Sequence, residues 1–202
     1  KDDKVMFESL IALQKIRDTS AGRRVIFLLQ DLEDRIQIAA IETVGLLRTK
    51  EAVDELQRAY REARNDKVRP AALSALAMVP HASSRPYFQQ GFTSRDEDVR
   101  AAAAEGYGRL KNQNDVPALQ NAFHSERKMP PRLALAFALV ANGQHSVDPM
   151  APLTYLVNTL NSRAWRGVAE PYLVELARDP QVRTAIYGFL RQANREEKIG
   201  LL

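Results

Sequence analysis

Arg69, Arg100, Arg132 and Arg183 each follow directly on an apolar or proline position: Val68, Val99, Pro131 and Val182. Guanidinium forks at regular spacing could hold phosphate or carboxylate groups in a bidentate manner. A structural role competes and is the stronger reading. Asp96 and Asp179 stand three residues ahead of Val99 and Val182, where a carboxylate caps a helix and an arginine can tie neighbouring helix ends. The three histidines are His81, His124 and His145. None has a histidine or carboxylate one, three or four positions on, apart from Asp148 after His145, so no metal site is expected. Ser83 and Ser84 lack the flanking glycines of a nucleophile elbow. Gly106 and Gly108 lie inside a helix-period stretch and read as packing glycines, not as a phosphate loop. Trp165 and Arg166, with Tyr172 nearby, put a stacking face beside a cation; Trp165 is expected in packing. No catalytic residue, metal or cofactor is expected.

The chain has 202 residues, 29 basic and 25 acidic, for a net charge of +4. Both signs run along its whole length, which gives little support to nucleic-acid binding. There are no cysteines, so disulfides and thiolate metal sites are excluded. No apolar run approaches the roughly 18 residues needed to span a bilayer. The K-D-D-K start and I-G-L-L end read as those of a piece of a longer protein. The compartment stays open, cytoplasmic by default.

A repeat positions these residues. With Val99 as anchor, equivalent segments begin at Val5, Ile36, Val68 and Pro131, at steps of 31, 32, 31 and 32 residues. Such a period is the signature of a solenoid. Four positions after each anchor lie Ser9, Ala40, Ala72, Ala103 and Leu135; seven after lie Ala12, Thr43, Ala75, Gly106 and Ala138. Positions 0, 4, 7, 8 and 11 share one helix face, so each repeat opens with an amphipathic helix, the A helix. Small residues in these columns let successive A helices approach closely.

A second helix, B, follows each A helix. Its apolar positions are Val25 and Leu29, then Val53, Leu56 and Tyr60, then Phe88 and Phe92, then Val116, Leu119 and Phe123. Breakers such as Pro80 to Ser84 and Asn112 to Asp115 separate the two. No sustained alternating β-branched run occurs, so strands are not expected. The period fails near the C-terminus, where a clean anchor returns at Val182, 51 residues after Pro131. Helices are expected at about 149–161 and 164–178, the latter bent or split by Pro171.

The A-helix pattern, best seen from Asp96 through Val99-Arg100 to Gly108 and Leu110 and from Asp66 through Val68-Arg69 to Val79, resembles the HEAT repeat. It is closest to the short bacterial form named after phycobilisome lyase subunits. The resemblance implies an all-α fold, an α-α superhelix of about six antiparallel helix pairs. One solenoid domain is expected over 1–202, with regular repeats at 1–163 and an irregular C-terminal repeat at 164–202. The resemblance also implies that B helices line a concave groove. HEAT-type di-iron hydroxylases carry His-Glu pairs, and this sequence has none. HEAT-like DNA glycosylases use tryptophans with an acid and an arginine, and Trp165 and Arg166 only partly match that set.

On this orientation the groove would be lined by Gln57, Arg58, Arg61, Gln89, Gln90, Gln120, Asn121 and His124. The surface is amide-rich and nearly neutral, suited to peptide main chain, whereas phosphate backbones favour dense Lys and Arg. The expectation is a non-catalytic scaffold or adaptor, not an enzyme, binding a protein or peptide partner and not nucleic acid. The alternative is a lyase-type or glycosylase-type HEAT protein acting on a chromophore or nucleic acid.

Overall fold

Asp2 begins the first helix by accepting the backbone N–H groups of Lys4 and Val5 on its carboxylate, and the same device recurs along the chain. Asp96 accepts from Asp98 and Val99, Asn65 from Lys67, and Asp179 from Gln181. Each lies three residues before an anchor, where it satisfies amides the helix cannot. The computed structural model describes residues 2–190 and Lys198; the end of the irregular stretch expected at 164–202 lies outside the described residues. Those described are helical, with no strand among them.

The chain forms two compact units, Lys1–Leu110 and Lys111–Leu202. In the first, α1 (Asp3–Ile16) is followed by a 3-10 turn, α2 (Gly22–Val25) and a 3-10 segment at Ile26–Gln30. Then come α3 (Asp34–Leu46), α4 (Val53–Arg61), α5 (Val68–Met78), α6 (Arg85–Gly91) and α7 (Glu97–Leu110). The A helices pack in sequence, α1 on α3, α3 on α5 and α5 on α7, while α4 packs on α5 and α6 on α7. The expected columns are buried: Ile36, Ala40, Thr43, Val44 and Leu47 in repeat two, Val68, Ala72, Ala75, Leu76 and Val79 in the next. The small-residue seam is literal. A Cβ on Gly45 would lie 2.9 Å from the Cα of Ala75, so α3 and α5 touch nearly backbone to backbone.

The first helix departs from the expected register. Val5 and Ile16 are 59% and 68% exposed, and Ser9 and Ala12 are exposed with them, while Leu10 is buried. Later in the unit, α3 packs on both α1 and α5, and α5 on both α3 and α7, whereas α1 packs on α3.

The second unit contains α8 (Val116–Ser125), α9 (Met129–Ala141), α10 (Pro152–Thr159), α11 (Arg166–Leu176) and α12 (Pro180–Leu190). Here α9 packs on α8 and α10, and α11 packs on α9 and α10. Ala169, Tyr172, Leu173 and Leu176 form the buried face of α11, so α11 takes the place of an A helix in the irregular pair. Pro171 does not split it. That proline is exposed, on the side of the helix away from the buried face.

The turns leaving the A helices carry the period in their backbone. Arg17, Arg48 and Lys111 adopt left-handed φ values of 60°, 52° and 51°, and Gly143 adopts 90°. The equivalent slot in the third repeat holds Pro80, which cannot take that conformation. A non-glycine residue there is strained by about 1–2 kcal/mol, partly offset by the extra freedom glycine brings to the unfolded chain. Arg17→Gly is therefore expected to raise stability by about 0.5–1 kcal/mol in urea denaturation. Gly143→Ala, where a Cβ would meet nothing within 4 Å, should lower it through the backbone alone. No change in either variant would mean the left-handed turns carry no strain.

Candidate functional site

The outward side chains of the B segments were expected to line a groove, and in the first unit several of them bond to the next pair instead. Gln30 donates from Nε2 to Glu55 Oε2 at 3.2 Å, and Gln57 from Nε2 to the hydroxyls of Ser83 and Ser84 at 2.9 and 3.4 Å. Arg61 donates to the Tyr87 hydroxyl, and Arg23 pairs with Glu51. Arg58 pairs with Glu62, the residue that caps the end of its own helix, at 3.3 Å. Gln89 and Gln90 are exposed, and no side-chain hydrogen bond reaches them among the described residues. In the second unit Gln120 donates from Nε2 to Gln144 Oε1 at 3.3 Å. Asn121 is exposed, and His124, also exposed, sets its ring edge-on to Phe123 with centroids 5.7 Å apart. Gln57, Arg61 and Gln120 thus act as ties, while Gln89, Gln90, Asn121 and His124 face solvent.

The remaining sequence candidates fall into structural roles. His81 Nδ1 accepts from the Ser83 amide and lies 2.7 Å from its hydroxyl, which makes it a cap for the 3-10 turn at Ala82–Ser84. His145 Nε2 donates to the Val140 carbonyl at 3.1 Å. Arg166 Nε donates to the Leu160 carbonyl at 2.7 Å, and the backbone carbonyl of Trp165 accepts from Val168 and Ala169 at the start of α11. Among the described residues, no group of three or more His, Asp or Glu is placed to hold a metal ion, and no helix is long and apolar enough to cross a membrane.

The arginine row divides. Arg100 donates from Nη1 to the carbonyls of Ser94 and Arg95, and Arg183 in the same way to Ala177 and Arg178. These two tie helix starts to the carbonyls of the preceding turn. Arg69, exposed, rests 5.7 Å from the Tyr60 ring centroid. Arg132 is half-buried and lies over two rings, 5.3 Å from Phe123 and 4.9 Å from Tyr155. Its Nε is buried without a hydrogen-bond partner. An orphaned donor of this kind costs about 1–3 kcal/mol, against about 0.5–2 kcal/mol returned by a cation over a ring.

The rings come from the end of α8 and the middle of α10 and meet edge to face with centroids 5.5 Å apart. Tyr155 donates its hydroxyl to Met129 Sδ at 3.2 Å, a weak acceptor. Burial raises the Tyr155 phenol above its usual pKa, with the Arg132 charge working in the opposite direction. This cluster was not singled out from the sequence, although a signal existed. Tyr60, Phe92, Phe123 and Tyr155 all stand 24 residues after an anchor, so the arginine row and an aromatic column run in step.

Helix pairs recurring every 31 or 32 residues, joined along their A helices by small residues, define an α-solenoid repeat protein. Within it, the model of the HEAT-repeat family matches residues 59–140. No curated protein matches its sequence significantly. Among solved structures it is similar to a chain in the complex of CpcE and CpcF of phycocyanin lyase from Nostoc sp. PCC7120. The TM-score is 0.67 at 20% identity, over 100% of this chain and 91% of that one.

This likeness corrects the expectation of a non-catalytic scaffold that is not an enzyme. A chain with the same architecture along its length belongs to a lyase complex. The expectation rested on the lack of a familiar catalytic motif, and a repeat fold places its working groups on surfaces far apart in sequence, where no motif forms.

Proposed function

We propose that this chain is a lyase-type HEAT-repeat protein that acts on a chromophore, together with a second protein. The observation that carries the reading is the whole-length likeness to a chain of the CpcE–CpcF complex of phycocyanin lyase. The surface supports a protein substrate. Gln89 and Gln90 in the first unit, and Asn121 and His124 in the second, are exposed and their side chains form no hydrogen bond to described residues. Such amides suit the main chain and polar side chains of a protein that carries the chromophore. A nucleic-acid substrate fits less well, because the charge surplus is only +4 and Arg166 beside Trp165 is committed to a carbonyl.

The test replaces CpcE or CpcF in turn by this chain, with phycocyanin apoprotein and its chromophore, and follows chromophore addition or removal by absorbance of the denatured protein. Chromophore transfer that depends on the chain is expected. Asn121→Asp with His124→Ala should slow it by about tenfold, the loss of roughly 1.4 kcal/mol of contact. Transfer indifferent to the presence of the chain in both pairings would sink the lyase reading.

A further inference from the structure

Arg132 is fixed in place by rings, with its donors unused. In the same row, Arg100 and Arg183 each reach the two carbonyls five and six residues before them. The positions equivalent for Arg132 are Glu126 and Arg127, and the chain takes another course there. Glu126 is extended, with φ −68° and ψ 131°, and its carboxylate accepts the amides of Arg127 and Lys128, both at 2.9 Å. No side-chain hydrogen bond from Arg132 reaches a described residue, and its Nε is buried without an acceptor. The guanidinium nevertheless has a defined position, over Phe123 and Tyr155.

We propose that Arg132, Tyr155 and Phe123 form a binding site for the carboxylate of a ligand with a flat, conjugated body. The guanidinium supplies a planar fork of donors matched to a carboxylate. Tyr155 can turn its hydroxyl from the weak Met129 sulfur acceptor to a ligand oxygen. The half-buried Tyr155 ring offers stacking surface for the ligand body, while Phe123, 3% exposed, backs the guanidinium. His124, exposed at the edge of Phe123, lies within the same cluster. A phosphate dianion is the poorer match. Phosphates favour the free amides of a helix start, and α9 opens Met129-Pro130-Pro131, whose two prolines have no N–H. The site is argued from the second unit alone and does not depend on the lyase reading.

The experiment is a fluorescence titration of the full chain with 1-pyrenebutyrate and with the uncharged 1-pyrenebutanol. The acid is expected to bind about tenfold or more tightly than the alcohol, the value of one charge-assisted contact. Arg132→Gln should abolish that preference, Arg132→Lys should keep part of it, and Tyr155→Phe should weaken the acid alone. Equal binding of the two probes, no saturable binding of the acid, or a preference that survives Arg132→Gln overturns the proposal. Circular dichroism checks the fold of Arg132→Gln; if it is lost, the acid-to-alcohol ratio in the unaltered chain and in Arg132→Lys decides. An acid preference that depends on Arg132, alongside a negative chromophore-transfer assay, leaves the site standing and removes the lyase reading.

Discussion

Phe88→Ala is expected to lower stability by about 3–5 kcal/mol, and in its presence Gly106→Ala should change from harmful to neutral or stabilising. Phe88 is fully buried at 0% exposure between α6 and α7. A Cβ on Gly106 would lie 2.4 to 2.6 Å from three atoms of its ring. Glycine in mid-helix ordinarily costs about 1 kcal/mol relative to alanine, so Gly106→Ala would be a gain at an open site. With Phe88 present the ring must move or the helices must part, and overpacking of that kind costs about 1–3 kcal/mol. Removing the ring removes the conflict. A double-mutant cycle in urea should show an interaction of at least about 1 kcal/mol. Simple additivity would show that the ring is not what requires glycine at this position.

The second large effect belongs to the other unit. Phe137 is 1% exposed and stacks on Tyr172, with ring centroids 4.9 Å apart and planes at 26°. It thereby joins α9 to α11, the helix that stands in the place of a sixth A helix. Phe137→Ala should cost about 3–5 kcal/mol, with amide exchange rising in 166–176 as well as in 129–141. Tyr172→Phe keeps the stack and should cost no more than about 1.5 kcal/mol. Exchange that rises only in 129–141 would mean that α11 holds its place without this contact.

Much of the fold was legible because side-chain volume repeats with the chain. The positions of Ile36, Val68 and Val99, and the small residues behind them, follow from helix geometry and predict the burial observed. The register of α1 was not legible. Val5 and Ile16 are as apolar as their counterparts, and sequence cannot say which side of a helix has a neighbour. The irregular pair was harder for a related reason. The stretch Pro180 to Leu190 carries the anchor pattern, while α11, with its exposed Pro171, packs where an A helix belongs.

Site residues were less legible than the scaffold. Gln57 and Gln89 occupy one column, yet Gln57 meets the serines of a 3-10 turn while Gln89 is left to solvent. Arg100 and Arg132 likewise share a column and differ because of the turn before them. Asp96 leaves carbonyls within reach of Arg100, whereas Glu126 closes its own turn. Periodicity reports what repeats, and these differences arise from residues that do not.

The two sides of the first unit resist deformation unequally. Along the A helices the contact at Gly45 and Ala75 is already at van der Waals limit, so that side can be neither compressed nor slid without steric cost. Along the B segments the polar links are exposed side-chain pairs, Arg23 with Glu51, Gln57 with Ser83 and Arg61 with Tyr87, each worth at most about 1 kcal/mol in water. The unit therefore behaves as a leaf spring with a stiff spine and a row of weak, reversible latches. Bending about the A helices would open the latches one at a time, and each would close again when the load is removed.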